Sequence, residues 1–196
     1  MEADRLASGK KNAARLAAHI VFLDESGFLL IPPVQKTWSP VGQTPVVPHR
    51  YRHDRLSAIS GIAVSPRHFH CTLYCHLYED NIQGEEVAAF LRHLLRQIRG
   101  PIIALLDNGS IHRADPVQAL LARTRRLHLE PFPAYAPELN PDEGVWNQLK
   151  RRLANGRPDT KAELMDVLSE EICRLARSQE LLRGCIHQSD LASFWP

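Results

Sequence analysis

Long apolar runs are missing from this chain of 196 residues, and cysteine is scarce. No run approaches the ~20 residues that a membrane-spanning helix needs. The N-terminal stretch MEADRLASGKKNAARLAAH contains no apolar core of the kind that signal peptides carry. Four cysteines in this length do not predict a disulfide framework. These absences argue against a membrane or secreted protein, and we expect a cytoplasmic one.

An excess of charge of one sign is also lacking, because the net charge is only +2. Total charge therefore does not predict a nucleic-acid partner. Basic residues are nevertheless grouped along the chain in three clusters: Arg92, Arg96 and Arg99; Arg123, Arg125 and Arg126; and Lys150, Arg151, Arg152 and Arg157. Each cluster is either a solvated helix face or a surface that contacts phosphates, and the pattern leaves both interpretations open.

The segment RHFHCTLYCH, residues 67–76, combines histidine and cysteine as zinc sites do. It is predicted to be a strand, in which alternate side chains face opposite sides. Cys71 and Cys75 then share the apolar face, whereas His68, His70 and His76 share the polar one. The two residue types cannot converge on one ion, so we expect core cysteines and exposed histidines.

The order of the predicted elements indicates an α/β fold with a mixed sheet. Apolar segments predict strands at 19–24, 28–32, 56–64, 68–77, 102–107 and 127–132. Segment 28–32 is expected to form a hairpin with 19–24 after Gly27. Helical spacing is found around 87–98, from Asp115, from Pro141, at 160–177 and at 179–187. Thr160 and Glu163 are expected to form a capping box at the start of the fourth helix.

Two of these strands end in an aspartate, in VFLDESG and ALLDNGS. In open α/β sheets, functional groups gather beyond the carboxyl ends of the strands. If the two strands are neighbours, Asp24 and Asp107 can share a divalent cation, and carboxylate oxygens suit Mg²⁺ or Mn²⁺. Taken singly, an aspartate at a strand end is often only a turn former or a helix cap.

A third acid is available in ELNPDEGVWNQLKRR, where a helix is predicted to start. Asn140 suits the N-cap, Pro141 suits the first turn, and Glu143 stands where it can close a capping box to Asn140. Asp142 projects near the middle of the buried stripe and is expected to serve the helix start. Glu143 projects toward the edge of that stripe, which makes it the better candidate for a site.

Four motifs in this order resemble the catalytic domain of DDE-type insertion-sequence transposases, the bacterial relatives of the mariner transposases. They are FLDESGF, KTWSPVGQTP, LLDNGSIH and YAPELNPDEGVWNQLKRR, with 35 residues between Asp107 and Glu143. The resemblance implies a ribonuclease H-like α/β fold with a central mixed five-stranded sheet flanked by helices. It also implies that Asp24, Asp107 and Glu143 are the catalytic triad, which binds two Mg²⁺ or Mn²⁺ ions. Asn108, His112, Asn140 and Trp146 match further motif positions.

The activity that the resemblance implies is phosphodiester hydrolysis at transposon ends, followed by attack of the new 3′-OH on target DNA. DNA contacts are expected at His112, Asn140, Lys150, Arg151 and Arg152. For His112, a contact with a phosphate or with a metal ligand and a surface position at a helix start are equally open interpretations. Two rival hypotheses stay open: a catalytically silent DNA-binding or assembly remnant of a transposase, and a different ribonuclease H-like nuclease.

The domain organisation is expected to comprise an N-terminal helical or loose segment (1–18), the catalytic domain (19–158), and C-terminal helices packed on the same domain (159–196). Segment 1–18 is too short for a helix-turn-helix domain that reads terminal repeats. We therefore expect end recognition to come from a separate N-terminal polypeptide. A homodimer associated with the nucleoid is also expected.

Overall fold

A five-stranded mixed sheet forms the centre of the molecule. The computed structural model describes residues 16–30, 38–43, 54–67, 70–133, 136–154, 158 and 160–191. Its strands are β1 (His19–Leu29), β2 (Arg55–Val64), β3 (Cys71–Tyr78), β4 (Ile102–Leu106) and β5 (Leu127–Pro131). Their order in the sheet is β3-β2-β1-β4-β5. The first three strands are antiparallel neighbours, whereas β1, β4 and β5 run parallel, so the predicted mixed sheet is confirmed.

The predicted hairpin between 19–24 and 28–32 is wrong, because β1 continues through Gly27. It pairs with β2 without interruption from Ile20 opposite Val64 to Leu29 opposite Arg55. Phe22 and Phe28 belong to one core cluster, on the same face of the strand. Two-residue alternation is therefore kept across Gly27, and no turn is needed to bury Phe28.

Helices cover both faces of the sheet. They are α1 (Gly84–Gln97), α2 (Asp115–Arg123), α3 (Asp142–Leu153), α4 (Lys161–Ala176) and α5 (Gln179–Gln188), with short 3-10 helices at Ser110–Arg113 and Pro137–Leu139. Val87 and Val117 of α1 and α2 share one apolar cluster with Val21 of β1. Trp146, Leu168 and Leu182, from α3, α4 and α5, share the opposite cluster. The described residues include no helix long and apolar enough to cross a membrane.

Local sequence signals fix several helix ends. Gly100 adopts a positive φ of 94°, just after the end of α1, a conformation that glycine accepts readily. The Thr160 hydroxyl accepts a hydrogen bond from the Glu163 amide, so the predicted cap of α4 is present. Helix α2 begins at Asp115, as the sequence predicts, with Ala114 at its cap position.

Strand β3 separates cysteine from histidine as predicted, but His76 is not exposed. Cys71 is buried on the side of α3 to α5. The His76 ring packs on the other side against Phe90 and His93 of α1, with centroid distances of 5.2 and 4.8 Å. The prediction failed because α1 covers that face of β3. His70 is exposed, and His68 lies outside the described residues.

We predict that Gly144→Ala destabilises the fold through the contact between α3 and α5. A Cβ at Gly144 would lie 2.8 Å from the Cys185 Cβ and 3.0 Å from its Cα, so one helix must move. Overpacking of this kind costs about 1–3 kcal/mol. Gly184→Ala is the matched control, because its Cβ would meet nothing within 4 Å and helix propensity favours alanine by about 1 kcal/mol. Urea unfolding midpoints of the two variants should move in opposite directions, and equal midpoints would contradict the prediction.

Candidate active site

Parallel pairing of β1 with β4 places the two strand-end aspartates beside each other. The register matches His19 with Ile102 and Phe22 with Leu105. Continued by two residues, the same register matches Asp24 with Asp107. Both carboxylates line one open cleft of about 450 Å³, and Glu143 at the start of α3 lines it too. The structure therefore brings together all three acids of the predicted triad.

Asp24 is half-buried on the side of the sheet that faces α3. Its Oδ2 accepts a hydrogen bond of 2.8 Å from the indole nitrogen of Trp146. Burial raises the pKa of Asp24 to about 6, against the Trp146 hydrogen bond, and the nearby Glu143 and Asp107 carboxylates add to the increase. Trp146 matched a family motif without an assigned role, and the structure shows that it contacts a triad residue.

Asp107 is more open, with 63% of its side chain exposed, but one oxygen is firmly held. Its Oδ1 accepts the backbone N–H of Gly109 at 2.8 Å and lies 2.8 Å from Nε2 of His112. The His112 ring is buried, and burial lowers its pKa, although Asp107 acts in the opposite direction. Because His112 is buried, its interpretation as a surface residue is wrong and a direct phosphate contact is disfavoured, whereas its position beside Asp107 fits a contact with a predicted metal ligand.

Glu25 is a fourth acid of the site, and the sequence reasoning missed it. Its Oε2 lies 3.5 Å from His112 Nε2, and its Oε1 is buried without a hydrogen-bond partner. Burial raises the pKa of Glu25 to about 8, and the Asp24 and Asp107 carboxylates add to this. Ligand atoms of Glu25, Asp107 and His112 all lie within 4.8 Å of one another. The sequence does contain a signal for this residue, because Glu25 directly follows Asp24 in the strand. Strand alternation places its side chain on the face opposite Asp24.

Asn140 joins the start of α3 to the end of β1. Its side-chain amide donates to the Leu23 carbonyl at 3.2 Å, and its Oδ1 accepts the Asp142 amide at 3.2 Å. The Asn140 side chain thus caps the first N–H of α3, as predicted, but the described contacts include no return bond from the Glu143 side chain that would complete a capping box. Glu143 is instead part of the cleft lining. Only 6% of Asn140 is exposed, and both the nitrogen and the oxygen of its side-chain amide are hydrogen-bonded. Asn140 therefore ties the start of α3, which carries Glu143, to the end of β1, which carries Asp24.

Asp142 does more than start the helix, because it is fully buried beneath the site. Burial raises its pKa well above the usual value, and Asp24 and Glu25 raise it further. The Ser60 hydroxyl is close enough to act against this shift, yet neither Asp142 oxygen has a partner at hydrogen-bond geometry. Burial and the neighbouring carboxylates therefore favour the protonated form of Asp142.

Comparison with known proteins identifies the family of the chain. A family model for DDE superfamily endonucleases matches residues 19–165, about three quarters of the chain. The chain belongs to this family. The predicted resemblance to DDE transposases is thereby confirmed at the level of the superfamily. No curated protein matches the chain in sequence.

Solved structures similar to this chain include several of Mos1 mariner transposase. The Mos1 paired-end complex with Mn has 20% identity and a TM-score of 0.68, over 98% of this chain and 58% of that chain. The Mos1 catalytic domain has 18% identity and a TM-score of 0.63, over 98% of this chain and 87% of that domain. The chain therefore spans less than two thirds of the transposase in the paired-end complex. The likeness confirms the predicted ribonuclease H-like fold.

The three clusters of basic residues in the chain differ in what their side chains contact. Lys150, Arg151 and Arg152 are all exposed at the end of α3, the helix that carries Glu143. Arg126 is instead hydrogen-bonded, because its guanidinium donates to the carbonyl of Leu95 in the last turn of α1 and to those of Ile98 and Gly100 just after it. Arg126 thus closes the end of a helix, and the other described members of the three clusters are exposed. Arg157 lies outside the described residues.

The donor set of the cleft fits a hard divalent cation. Among the described residues, the salt-bridge partner of Glu25 and Asp107 is His112, and no Lys or Arg lies within salt-bridge distance of Asp24, Glu25, Asp107 or Glu143. Among the residues that the structure describes, these four carboxyl groups share one edge of the sheet with no permanent positive charge beside them. Burial is the main cause of the raised pKa values of Asp24 and Glu25, and repulsion between the carboxylates adds to it. Carboxylate oxygens are the ligands that Mg²⁺ and Mn²⁺ prefer.

We predict that the metal-free endonuclease loses stability as pH rises from 6.5 to 8. The folded-state pKa of Glu25, about 8, exceeds its unfolded value, so the folded chain binds more protons than the unfolded chain in this window. Each pKa unit corresponds to about 1.4 kcal/mol, which gives a loss of about 1–2 kcal/mol. The lowered pKa values of His19, His76 and His112 act in the opposite direction up to about pH 7.5, one unit above their unfolded value of about 6.5, and they offset part of this loss.

Urea unfolding in EDTA at pH 6.5 and 8 measures this loss. Glu25→Gln should reduce the difference between the two pH values, whereas Asp166→Asn, at an exposed position on α4, should leave it unchanged. A wild-type free energy of unfolding that is constant or rises over this window would contradict the prediction.

Proposed function

We propose that the chain is the catalytic domain of a DNA transposase. Its reactions are metal-dependent hydrolysis of phosphodiesters at transposon ends and transfer of the new 3′-OH into target DNA. The observation that carries the proposal is the cleft in which Asp24, Asp107 and Glu143 meet, with no Lys or Arg of the described residues within salt-bridge distance of them. Support comes from the family match and from the likeness to Mos1 structures, which include a strand transfer complex.

The three acids are proposed to bind Mg²⁺ or Mn²⁺, as two ions. When bound, such ions activate a nucleophilic oxygen, hold the phosphate and stabilise the leaving oxygen. The protein contributes a fixed arrangement of acids. Strand pairing holds Asp24 beside Asp107, and Asn140 holds the start of α3, and with it Glu143, against the end of β1. The open mouth of the cleft leaves Asp107 accessible to an extended phosphate backbone.

DNA is the proposed partner of the exposed basic end of α3. Lys150, Arg151 and Arg152 follow Glu143 on the same helix, so phosphates that they attract are close to the helix that carries a triad acid. Phosphate contacts position DNA without reading its sequence. The similar Mos1 structures include paired-end complexes, which supports a proposal that two copies of this chain act together on paired DNA ends.

A test of the chemistry is cleavage of labelled DNA duplex in Mn²⁺ by the wild-type chain and by Asp107→Asn. Loss of an outer partner of a metal ligand already costs about 10–100-fold, so loss of the ligand should reduce nicking by at least about 100-fold. Asp24→Asn and Glu143→Gln should do the same, and the exposed Asp166→Asn should remain active. An RNA–DNA hybrid is the competing substrate.

Each outcome of this experiment has one meaning. DNA nicking that disappears in the three triad variants supports the transposase proposal. Preferential cleavage of the hybrid would indicate another ribonuclease H-like nuclease, and DNA binding without cleavage of either substrate would indicate a silent assembly remnant. Nicking that survives Asp107→Asn would remove the triad from the mechanism.

A second test concerns the DNA surface. Replacement of Lys150, Arg151 and Arg152 together by Gln should weaken binding to unrelated duplexes to a similar extent, because the lost contacts are with phosphates. The slope of log K against log salt should fall by about 2–3, since each phosphate contact contributes about 0.9. The matched control is the triple replacement of Arg92 and Arg96 on α1 and Arg99 just after it, because α1 covers the other face of the sheet. Equal losses in the two triple variants would contradict the assignment.

A further inference from the structure

The indole of Trp146 is directed at one oxygen of Asp24. Its nitrogen donates to Oδ2 at 2.8 Å, and the residue is 1% exposed. The ring is held in place by edge contact with Phe28, with centroids 5.9 Å apart. An indole N–H is a donor only, and the buried ring leaves it no water to bond to. The direction of this hydrogen bond is therefore fixed by packing.

Asp107 is held in a comparable way by different residues. Its Oδ1 receives both the Gly109 amide and His112 Nε2, each at 2.8 Å. His112 comes from the 3-10 helix Ser110–Arg113, and its side chain is 3% exposed. With Nε2 as the donor, a neutral imidazole satisfies the geometry. Two donors thus share one oxygen, while none of the described residues donates to Oδ2 within hydrogen-bond distance.

The chemical type of these donors bears on what the acids can bind. An ammonium or guanidinium at the same place would neutralise a carboxylate and compete with a cation for it. A neutral N–H orients the carboxylate and leaves most of its charge in place. Residues of this kind commonly orient metal ligands in proteins, and their loss weakens metal binding.

We propose that Trp146 and His112 are positioning residues, which each occupy one oxygen of a strand-end aspartate and turn the other oxygen toward the cation. The proposal rests on the proposed function, since it assumes that Asp24 and Asp107 bind the metal. It assigns Trp146 to Asp24 and His112 to Asp107. The competing explanation is that both rings only fill space and take the nearest acceptor.

Spectroscopy on the unmodified chain separates these explanations. The chain contains three tryptophans, so ¹⁵N-labelled indoles give three N–H signals, and the one that is lost in Trp146→Phe belongs to Trp146. Titration with Mg²⁺ should shift this signal with the same saturation curve that calorimetry gives for Mg²⁺ binding. Asp24→Asn should abolish the coupled shift. Calorimetric binding without movement of the Trp146 signal would overturn the proposal.

Variants test the same idea through Mn²⁺ affinity, measured by calorimetry after thermal unfolding has shown each variant to be folded. Trp146→Phe should weaken binding by about 10–100-fold. Phe28→Leu disturbs the packing of the same ring but retains the indole N–H, and it should change the affinity less than about threefold. Equal losses in the two variants would show that packing alone matters and would overturn the assignment.

His112 offers a comparison by conservative replacement. His112→Gln can place an amide donor near the position of Nε2, whereas His112→Leu removes the donor. The Leu variant should bind Mn²⁺ about tenfold more weakly, and the Gln variant should remain close to wild type. Wild-type affinity in His112→Leu would overturn this half of the proposal.

Failure of this proposal is distinguishable from failure of the proposed function. Normal Mn²⁺ affinity in Trp146→Phe and His112→Leu, together with loss of affinity in Asp107→Asn, would remove the positioning roles and leave the metal site intact. An absence of Mn²⁺ binding to the wild-type chain would overturn the metal site itself, and the positioning roles with it.

Discussion

The parallel pairing of β1 with β4 is the constraint on which the rest of the site depends. Neither aspartate has a local reason to be near the other, because 82 residues separate them in the chain. Backbone hydrogen bonds between the two strands set their relative position, and a slip of one residue would turn side chains to the wrong face. The cores on both sides of the sheet therefore protect the site, since they specify this register through Val21 on one face and Phe22 on the other.

The same arrangement concentrates charge where the fold does not neutralise it. Asp24, Glu25, Asp107 and Glu143 gather at one edge, and Asp142 lies under them in the core. Repulsion and burial oppose ionisation of Asp24 and Glu25, so the fold is under electrostatic strain that a cation would relieve. Apolar packing around Trp146 offsets this strain and also directs its N–H at Asp24. The buried ring of Trp146 thus both stabilises the fold and orients the Asp24 carboxylate.

Sequence patterns predicted the parts of this structure that are encoded locally. Apolar runs that end in Asp24 and Asp107, the Thr160 cap and the apolar stripe of α3 are all readable within a few residues. Helical projection placed Asp142 in that stripe. The preference for acids in the first turn of a helix offered another explanation of Asp142, so its burial was not predicted. Glu25, the His112–Asp107 contact and the helix-closing role of Arg126 depend on elements distant in sequence, which no local pattern reports. The false hairpin arose because Gly27 resembled a turn, whereas the ten-residue β2 offered a longer pairing partner.

The unequal lengths of the two central strands create the opening of the site. β4 ends at Leu106, but β1 continues to Leu29 and is paired there only with β2 among the described strands. Had β4 continued alongside, its backbone would have taken the space beyond Asp24. The cleft thus lies where β1 has no strand beside it in place of β4, and Asp24 and Asp107 line it. The position of the opening is set by chain topology, so insertions or deletions after Leu106 would change it, whereas substitutions would alter only the side chains that line it.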